Sequence, residues 1–216
     1  MDMRNNILRK ALLALLMTTA GTTITAQEKT LMATLYSQYK PATITLSDGR
    51  VIKNSLTNVF LKNSSLLYLH NTTAMEAKMT NISRVDFDDR WFVNIENQLA
   101  TVIDSVGENV LYRVDYLDID SYNANLKNNL QITDITFSDN IQTTSIDLSN
   151  EEDYKLPVVH KYYYRLNGEI VTVHEREIQR RLSKEKKRMF KTIIDLPDFS
   201  WEDDASVLQL LKAISD

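Results

Sequence analysis

The sequence predicts an α+β protein with an antiparallel, β-rich body and a helical C-terminal region. Short apolar or alternating runs, separated by turn residues, extend from Ala42 to Val173, which is typical of β-strands. The pair Asn167-Gly168 stands between two such runs, a combination that indicates a tight β-hairpin. Apolar residues after this hairpin recur at helical spacing. We therefore expect one or two small barrels, followed by a helical hairpin that packs on them.

The first 26 residues have the composition of a secretory signal peptide. Arg4, Arg9 and Lys10 precede the apolar run ALLALLM, and small and hydroxyl residues follow as far as Ala26. The apolar run is too short to span a bilayer, which requires about 20 residues. We expect cleavage after Ala26 and a mature protein in the periplasm, at the outer membrane or outside the cell. A retained N-terminal anchor is the alternative.

The composition of the expected mature chain, from Gln27 onward, argues against several classes of function. Removing the three basic residues and one acidic residue of the signal peptide leaves 22 Lys and Arg against 28 Asp and Glu, a net charge of −6. This balance is unsuited to general nucleic-acid binding, which depends on neutralising phosphates. The sequence has no cysteine, which excludes disulfides, thiol catalysis, cysteine-bound zinc and lipid attachment through cysteine. We expect no cofactor and no transmembrane segment in the mature chain.

Residues 27–173 form the predicted β-rich domain, whose first hairpin turns at Asp48-Gly49. Glycine accepts the positive φ of such a turn without steric cost. The predicted strands are Ala42–Leu46, a strand that restarts at Val51, Asn58–Leu61, Leu66–His70, Met75–Met79, Ile82–Phe87, Trp91–Ile95, Leu99–Val106, Val110–Ile119 and Leu130–Phe137. The alternative for Leu99–Val106 is a short helix. We interpret 138–157 as a long polar surface loop or linker, and 158–173 as the final β-hairpin.

Residues 174–216 form the predicted helical hairpin. Thr172 and Glu175 have the spacing of a capping box, so the first helix is expected to start near Val173. Its apolar face is formed by Ile178, Leu182, Met189 and Ile193. Ser200 is the expected N-cap of a second helix, which is apolar around more than half its circumference and must therefore pack against the rest of the protein.

Several stretches between Ile44 and Phe87 have the strand and turn order of a small barrel: ITLSDGRVIKNSLTNVFL, LLYL, MEAKM and NISRVDF. They resemble the SH3-like and Sm-like barrels. Gly49 and Leu56 fit the Sm pattern, but Asn54 stands where a second glycine is expected, and the Arg-Gly pair of the late strand is missing. The resemblance implies a small-barrel architecture for about a quarter of the mature chain, and it carries over no RNA-binding residues.

The stretches YYYRLNGEIVTVHEREIQRRLSKEKKR and DFSWEDDASVLQLLKAIS give the chain a second resemblance. Their order is similar to that of exported Bacteroidota proteins that join a β-rich body to a strand hairpin and a basic helix. This resemblance implies an envelope location and no particular activity. The tripeptide Asp104-Ser105-Val106 also resembles the O-glycosylation site of that phylum, so Ser105 is a candidate for modification. An unmodified strand or helix is the alternative.

The segment from Glu175 to Lys191 holds eight Lys or Arg and three Glu. On one continuous helix, Arg180, Lys184, Lys187 and Lys191 would share a narrow arc opposite the apolar face. This arc is a possible anion-binding face. The alternative is the ordinary solvated side of an amphipathic helix. That alternative is favoured by the lengthwise order of the charges, with Glu near the N-terminal end and Lys near the C-terminal end, which suits the helix dipole.

An acidic turn, formed by Asp86, Asp88 and Asp89, precedes Trp91. A pair of carboxylates is the minimum that glycoside hydrolysis requires, so this turn is a candidate for hydrolytic chemistry. The alternative is a polar turn at the end of a strand.

We interpret the chain as a non-catalytic, exported protein of the cell envelope that acts as an interaction or binding module, with an envelope protein as its partner. The first alternative is binding of an anionic envelope polymer through residues 175–191. The second is a hydrolase that uses the acidic turn residues. We expect no nucleic-acid partner and no catalytic, cofactor-binding or metal-binding residues.

Overall fold

The computed structural model describes residues 32–130 and 156–215. The predicted signal peptide lies outside these ranges. So do residues 131–137 of a predicted strand and residues 138–155 of the predicted loop.

Ten β-strands in the described ranges form a single sheet, in which every neighbouring pair is antiparallel. They are β1 (Lys40–Leu46), β2 (Val51–Phe60), β3 (Ser65–His70), β4 (Thr73–Glu76), β5 (Ile82–Asp86), β6 (Trp91–Ile95), β7 (Gln98–Val106), β8 (Asn109–Leu117), β9 (Val158–Leu166) and β10 (Glu169–Thr172). Their order is β10-β9-β8-β7-β6-β5-β1-β2-β3-β4. Each neighbouring pair is therefore consecutive in the chain, except β5 and β1.

The sheet curls into a half-barrel, and the turn between β2 and β3 is hydrogen-bonded to β7 and to the end of β8. The backbone N–H of Leu99 donates to the carbonyl oxygen of Ser64 at 2.7 Å, and that of Leu117 donates to Leu61 at 2.8 Å. The predicted α+β class and antiparallel β-rich body are confirmed. Closure into one or two barrels is not confirmed, because the strand order of the described residues runs from β10 to β4 without joining its ends.

The predicted hairpins are confirmed at Asp48-Gly49 and at Asn167-Gly168. Gly49 has a φ of 86°, and the pair Asn167 and Gly168 has φ values of 51° and 86°. Two consecutive residues with positive φ are the signature of a type I′ turn, whose twist matches that of the strands it joins. The alternative of a short helix at Leu99–Val106 is wrong, because these residues lie in β7, which pairs with both β6 and β8.

Four α-helices occur among the described residues: α1 (Ile119–Leu130), α2 (Glu175–Gln179), α3 (Lys184–Ile194) and α4 (Asp204–Ser215). Helix α1 was not predicted, because both of its ends were assigned to strands, although Ile119, Tyr122, Leu126 and Leu130 recur at helical spacing in the sequence. The Asp118 side chain begins this helix by accepting hydrogen bonds from the N–H of Ser121 at 3.0 Å and from its hydroxyl at 2.6 Å.

The basic segment forms two helices instead of the single helix that was predicted. His174 is the N-cap of α2 and accepts a hydrogen bond from the N–H of Arg176 at 3.4 Å. Helix α2 ends at Gln179, and Ser183 then serves as a new N-cap by accepting from the N–H of Lys186 at 3.3 Å. A serine at an N-cap satisfies a backbone donor that would otherwise lack a partner, so it favours a helix start at this point. The helical hairpin is thus not confirmed as predicted.

One apolar cluster joins the C-terminal helices to the sheet. Leu111 of β8 and Tyr164 of β9 belong to the same cluster as Phe190 of α3 and Leu210 of α4, and all four side chains are fully buried. Burial of each such side chain contributes roughly 1.5–3 kcal/mol. The helices are therefore an integral part of the core.

A second cluster fills the curl of the first half of the sheet. It includes Ile44 of β1, Val85 of β5 and Phe92 of β6, which are paired across neighbouring strands. Across the next two strand pairs, Phe92 lies opposite Thr101 of β7, and Thr101 lies opposite Arg113 of β8. Because residues opposite each other in a sheet share a face, both clusters and the polar residues between them lie on one face. We call this the concave face.

Candidate functional site

Helix α3 carries a cluster of exposed cations without ion-pair partners. Lys184, Lys187, Arg188 and Lys191 are all exposed, and they span an arc of about 100° at the angular spacing of an α-helix. No ion pair within 32–130 and 156–215 involves any of the four. We call these four residues the α3 basic arc. Unpaired cations on one side of a helix create a positive potential that attracts an anion.

The fourth residue of the predicted anion-binding face, Arg180, does not belong to this arc. It is the C-cap of α2, and its guanidinium pairs with Glu177 at 2.8 Å. Glu177 also pairs with Arg181 at 3.2 Å. Arg181 in turn lies 3.7 Å from Glu169. The break in the helix therefore separates Arg180 from Lys184, Lys187 and Lys191. Arg188, which sequence reasoning omitted, takes its place.

The acidic turn after β5 is largely compensated by neighbouring cations. Asp86 is held by the guanidinium of Arg84, whose Nε lies 2.7 Å from Asp86 Oδ1. Lys40 Nζ lies 3.4 Å from Asp88 Oδ1 and 3.5 Å from Asp89 Oδ1. All three predicted carboxylates therefore have cationic partners.

Asp89 has the environment of an ionised carboxylate. It accepts a hydrogen bond from the Tyr36 hydroxyl at 2.9 Å and one from Arg90 Nε at 3.1 Å. Burial acts to raise the pKa of Asp89, but these hydrogen bonds outweigh it, and the pKa lies below the ordinary carboxyl value. A general acid for glycoside hydrolysis needs the opposite shift. The geometry around Asp89 therefore does not favour an acid role.

The side chain of Trp91 forms an exposed platform beside this turn. The Arg84 guanidinium lies 4.0 Å from the ring centroid, which is a cation–π geometry, and Asp86 holds the same guanidinium from the side. Trp91 remains 38% exposed. The stack fixes the orientation of both side chains and leaves part of the indole open to solvent.

A partly buried polar network on the concave face was missed by the sequence analysis. Arg113 Nε donates to Asp115 Oδ1 at 2.8 Å, and its Nη1 lies 2.6 Å from Asp204 Oδ2. His160 Nδ1 lies 2.9 Å from Asp115 Oδ1, and the Tyr162 hydroxyl donates to Asp204 Oδ1 at 2.7 Å. The signal was present in β8, where Arg113 and Asp115 alternate with apolar residues and so share one face.

This network connects the sheet to the start of α4. Burial opposes the charged form of Arg113, but the carboxylates of Asp115 and Asp204 outweigh it and raise the pKa of Arg113 above its ordinary value. Burial and the hydrogen bond to Asp204 likewise raise the pKa of Tyr162. Arg113 is thus a permanent cation between two carboxylates. The arrangement can orient α4 on the sheet, because it links β8 and β9 to the first residue of that helix.

The first half of β2 has one open edge. Residues 51–57 pair with β1, whereas β3 pairs only with Thr57–Phe60. No described strand pairs with the other edge of Val51–Ser55. Val51 and Ile52 are 59% and 46% exposed, which is high for large apolar side chains in a strand.

A shallow cleft of about 560 Å³ crosses β1 between β2 and the end of β5, on the side of β2 that faces β1. It is lined by Pro41, Ala42, Thr43, Lys53, Asn54, Ser55, Asp86, Phe87 and Asp88. Lys53 is exposed and has no ion pair with any described residue. The cleft therefore brings the cation of Lys53 to the same side of β2 as the carboxylates of Asp86 and Asp88.

Ser105, the candidate glycosylation site, lies exposed near the end of β7. Its modification stays a prediction.

In the described part of the chain, no three His, Asp or Glu side chains are grouped so that they could hold a metal ion. None of the helices in 32–130 and 156–215 is long and apolar enough to cross a membrane. Comparison of the chain with protein-family models, with curated proteins and with solved structures gives no match.

Proposed function

We propose that the chain is a non-catalytic, exported protein of the cell envelope that acts as an interaction module through contacts with another protein. The observation that carries this proposal is the open edge of β2, where accessible backbone groups adjoin the exposed side chains of Val51 and Ile52. Exposed apolar groups along an unpaired strand provide the two elements of a protein contact, apolar area and a hydrogen-bonding edge. Export rests on the N-terminal sequence.

In-cell crosslinking of the full chain, followed by mass spectrometry of the adducts, tests this function. A photo-reactive residue is placed at exposed positions on several faces, including position 53 on β2 and position 187 on α3. A single protein partner recovered reproducibly from one face, and absent when the photo-reactive residue is on the other faces, is the expected result. Turnover of peptidoglycan, glycans or esters by the purified protein, abolished by one point substitution, would overturn the proposal.

Binding of an anionic envelope polymer is a second candidate function, and the α3 basic arc favours it. Several cations elsewhere in the described residues already have a carboxylate partner, for example Arg84 with Asp86 and Arg113 with Asp115. The four cations of the α3 basic arc have none among those residues. The expected partner is a linear polyanion that crosses α3. Because exposed charges are screened by salt, such binding should weaken steeply as ionic strength rises.

A further inference from the structure

The pattern of backbone hydrogen bonds shows which groups of β2 face outward. The backbone N–H of Leu46 donates to the carbonyl oxygen of Arg50, so the backbone groups of Arg50 point toward β1. In the same register, Ile44 pairs with Ile52. Because N–H and C=O groups of alternate residues point to opposite edges of a strand, Val51 and Lys53 direct theirs away from β1. A bulge in the pairing between Lys40 and Ala42 ends this register, and β3 begins to pair at Thr57.

The open edge thus presents four backbone groups, the N–H and C=O of Val51 and of Lys53. Their spacing repeats every second residue, which only another extended backbone can match along its length. The two outermost strands of the sheet are shorter, since β4 and β10 have 4 residues each. Short edge strands are a common protection against unwanted pairing. The open part of the ten-residue β2 lacks that protection.

The side chains on this edge define what an added strand must carry. Ile52 pairs with Ile44, a member of the apolar cluster, and so its exposed side chain points to the concave face. Lys53 pairs with Thr43 and points to the opposite face. An apolar residue opposite Ile52 would extend the core, and a carboxylate opposite Lys53 would give that cation its missing partner.

We propose that the edge Val51–Ser55 of β2 binds an extended segment of a partner protein, in which apolar residues alternate with acidic ones. The segment adds as a further strand, hydrogen-bonded to Val51 and Lys53. This inference rests on the proposed function, because it names the partner chemistry and the mode of contact for the same surface.

A titration of the isotope-labelled protein with defined peptides tests the proposal. The probe is a short, end-capped peptide of alternating Val and Glu. The matched controls are the same peptide with every backbone nitrogen methylated, and a peptide of alternating Val and Lys. Saturable amide shifts at Val51 and Lys53 with the first peptide only are the expected result. Equal binding of the methylated peptide, shifts confined to β4 or β10, or no saturable shift would each overturn the proposal.

Two variants separate the backbone and charge components. Lys53→Pro removes an outward N–H without removing a hydrogen bond to β1, so affinity for the Val-Glu peptide should fall about tenfold. Lys53→Glu keeps the backbone and should reverse the preference toward the Val-Lys peptide. If Lys53→Pro fails to fold, Lys53→Glu still tests the proposal. A Lys53→Glu protein that still prefers the Val-Glu peptide over the Val-Lys peptide would overturn the acidic partner.

The crosslinking experiment distinguishes failure of this inference from failure of the proposed function. A protein adduct from position 187 and none from position 53 would leave an interaction module whose contact lies on another face, and would overturn strand addition at β2. No protein adduct from any face would remove the proposed function itself.

Discussion

Arg113 of β8 and Asp204 of α4 lie 91 residues apart in the chain, and their side chains meet at 2.6 Å. The same guanidinium holds Asp115, whose side chain is only 7% exposed. One cation therefore compensates a buried carboxylate and fixes the start of the last helix. Removal of either partner of a buried pair leaves the other charge without compensation.

We expect Arg113→Ala to lower the free energy of unfolding by about 3 kcal/mol, because it leaves the buried Asp115 carboxylate without its permanent cation, with only His160 as a side-chain partner, and removes the link to Asp204. Urea denaturation followed by circular dichroism measures this value. The matched control is Arg180→Ala, which removes an exposed pair with Glu177 and should cost about 0–1 kcal/mol. Equal costs for the two variants would contradict a structural role for the Arg113 network.

Helix α4 is expected to contribute to the core through Leu210. This side chain is fully buried, so Leu210→Ala should lower the free energy of unfolding by about 3 kcal/mol through lost burial and a residual cavity. The neighbouring Gln209 is exposed, and Gln209→Ala should leave the unfolding midpoint nearly unchanged. A single cooperative transition in both proteins indicates that α4 unfolds together with the sheet.

Asp203 should make stability depend on pH. Its carboxylate accepts hydrogen bonds from the N–H of Ser206 at 2.8 Å and from its hydroxyl at 2.9 Å, and these lower the pKa of Asp203 below the ordinary value. A carboxyl whose folded pKa is lowered stabilises the protein above its unfolded pKa, and the effect is lost as pH falls through the folded pKa.

The measurement compares wild type with Asp203→Asn in thermal unfolding across the acidic range. The amide is an uncharged cap whose strength does not change with pH. The difference in midpoint between the two proteins should therefore grow as pH rises from below the folded pKa to just above the ordinary carboxyl pKa, and then stay constant up to neutral pH. A difference that is independent of pH would refute a contribution from the Asp203 charge.

The α3 basic arc predicts salt-sensitive binding to a polyanion such as dextran sulfate. The triple variant Lys187→Glu, Arg188→Glu and Lys191→Glu should abolish this binding, since cations near an anionic surface contribute about 1 kcal/mol each. The charge-matched comparison is between the single variants Lys187→Glu and Arg180→Glu, because each reverses one cation and only Lys187 belongs to the arc. Lys187→Glu should weaken binding more than Arg180→Glu, and equal loss in these two proteins would indicate a response to net charge instead of the arc.

We expect substitutions of Gly168 to change the free energy of unfolding through backbone conformation alone. Its φ is 86°, and no atom outside the adjoining residues lies within 4 Å of the position a Cβ would take. Gly168→Val should therefore cost about 1–2 kcal/mol from backbone strain alone. Gly168→Asn tolerates positive φ and should cost less. A cost for Asn as large as that for Val would point to a lost contact.

The strands and their turns were largely predictable because each turn is encoded locally. Asp48-Gly49 and Asn167-Gly168 supply the positive φ that their turns require. The single sheet was not predictable in the same way. The pairing of β1 with β5 depends on contacts between residues distant in the chain, such as Ile44 and Val85. No local pattern identifies which strands become neighbours.

The candidate sites were predicted less well, for two physical reasons. The prediction of the anion-binding face assumed one helix from Val173 onward. Ser183 is instead the N-cap of a new helix, so Arg180 lies outside the arc. The Arg113 network was missed because Arg113 and Asp204 are distant in the sequence and become a pair only through the docking of α4. The open edge of β2 likewise depends on where β3 begins to pair, which is a property of the assembled sheet.

The strand order also has a consequence for folding kinetics. Most pairings in the sheet join strands that follow each other closely, so they can form by local hairpin closure. Two pairings do not, namely β1 with β5, and β8 with β9, which are separated by α1 and the residues that follow it. Closing a long loop costs entropy before native contacts compensate for it. These two closures should therefore be the slow steps, and substitutions at Ile44 or Tyr163 should slow folding more than substitutions within the local hairpins.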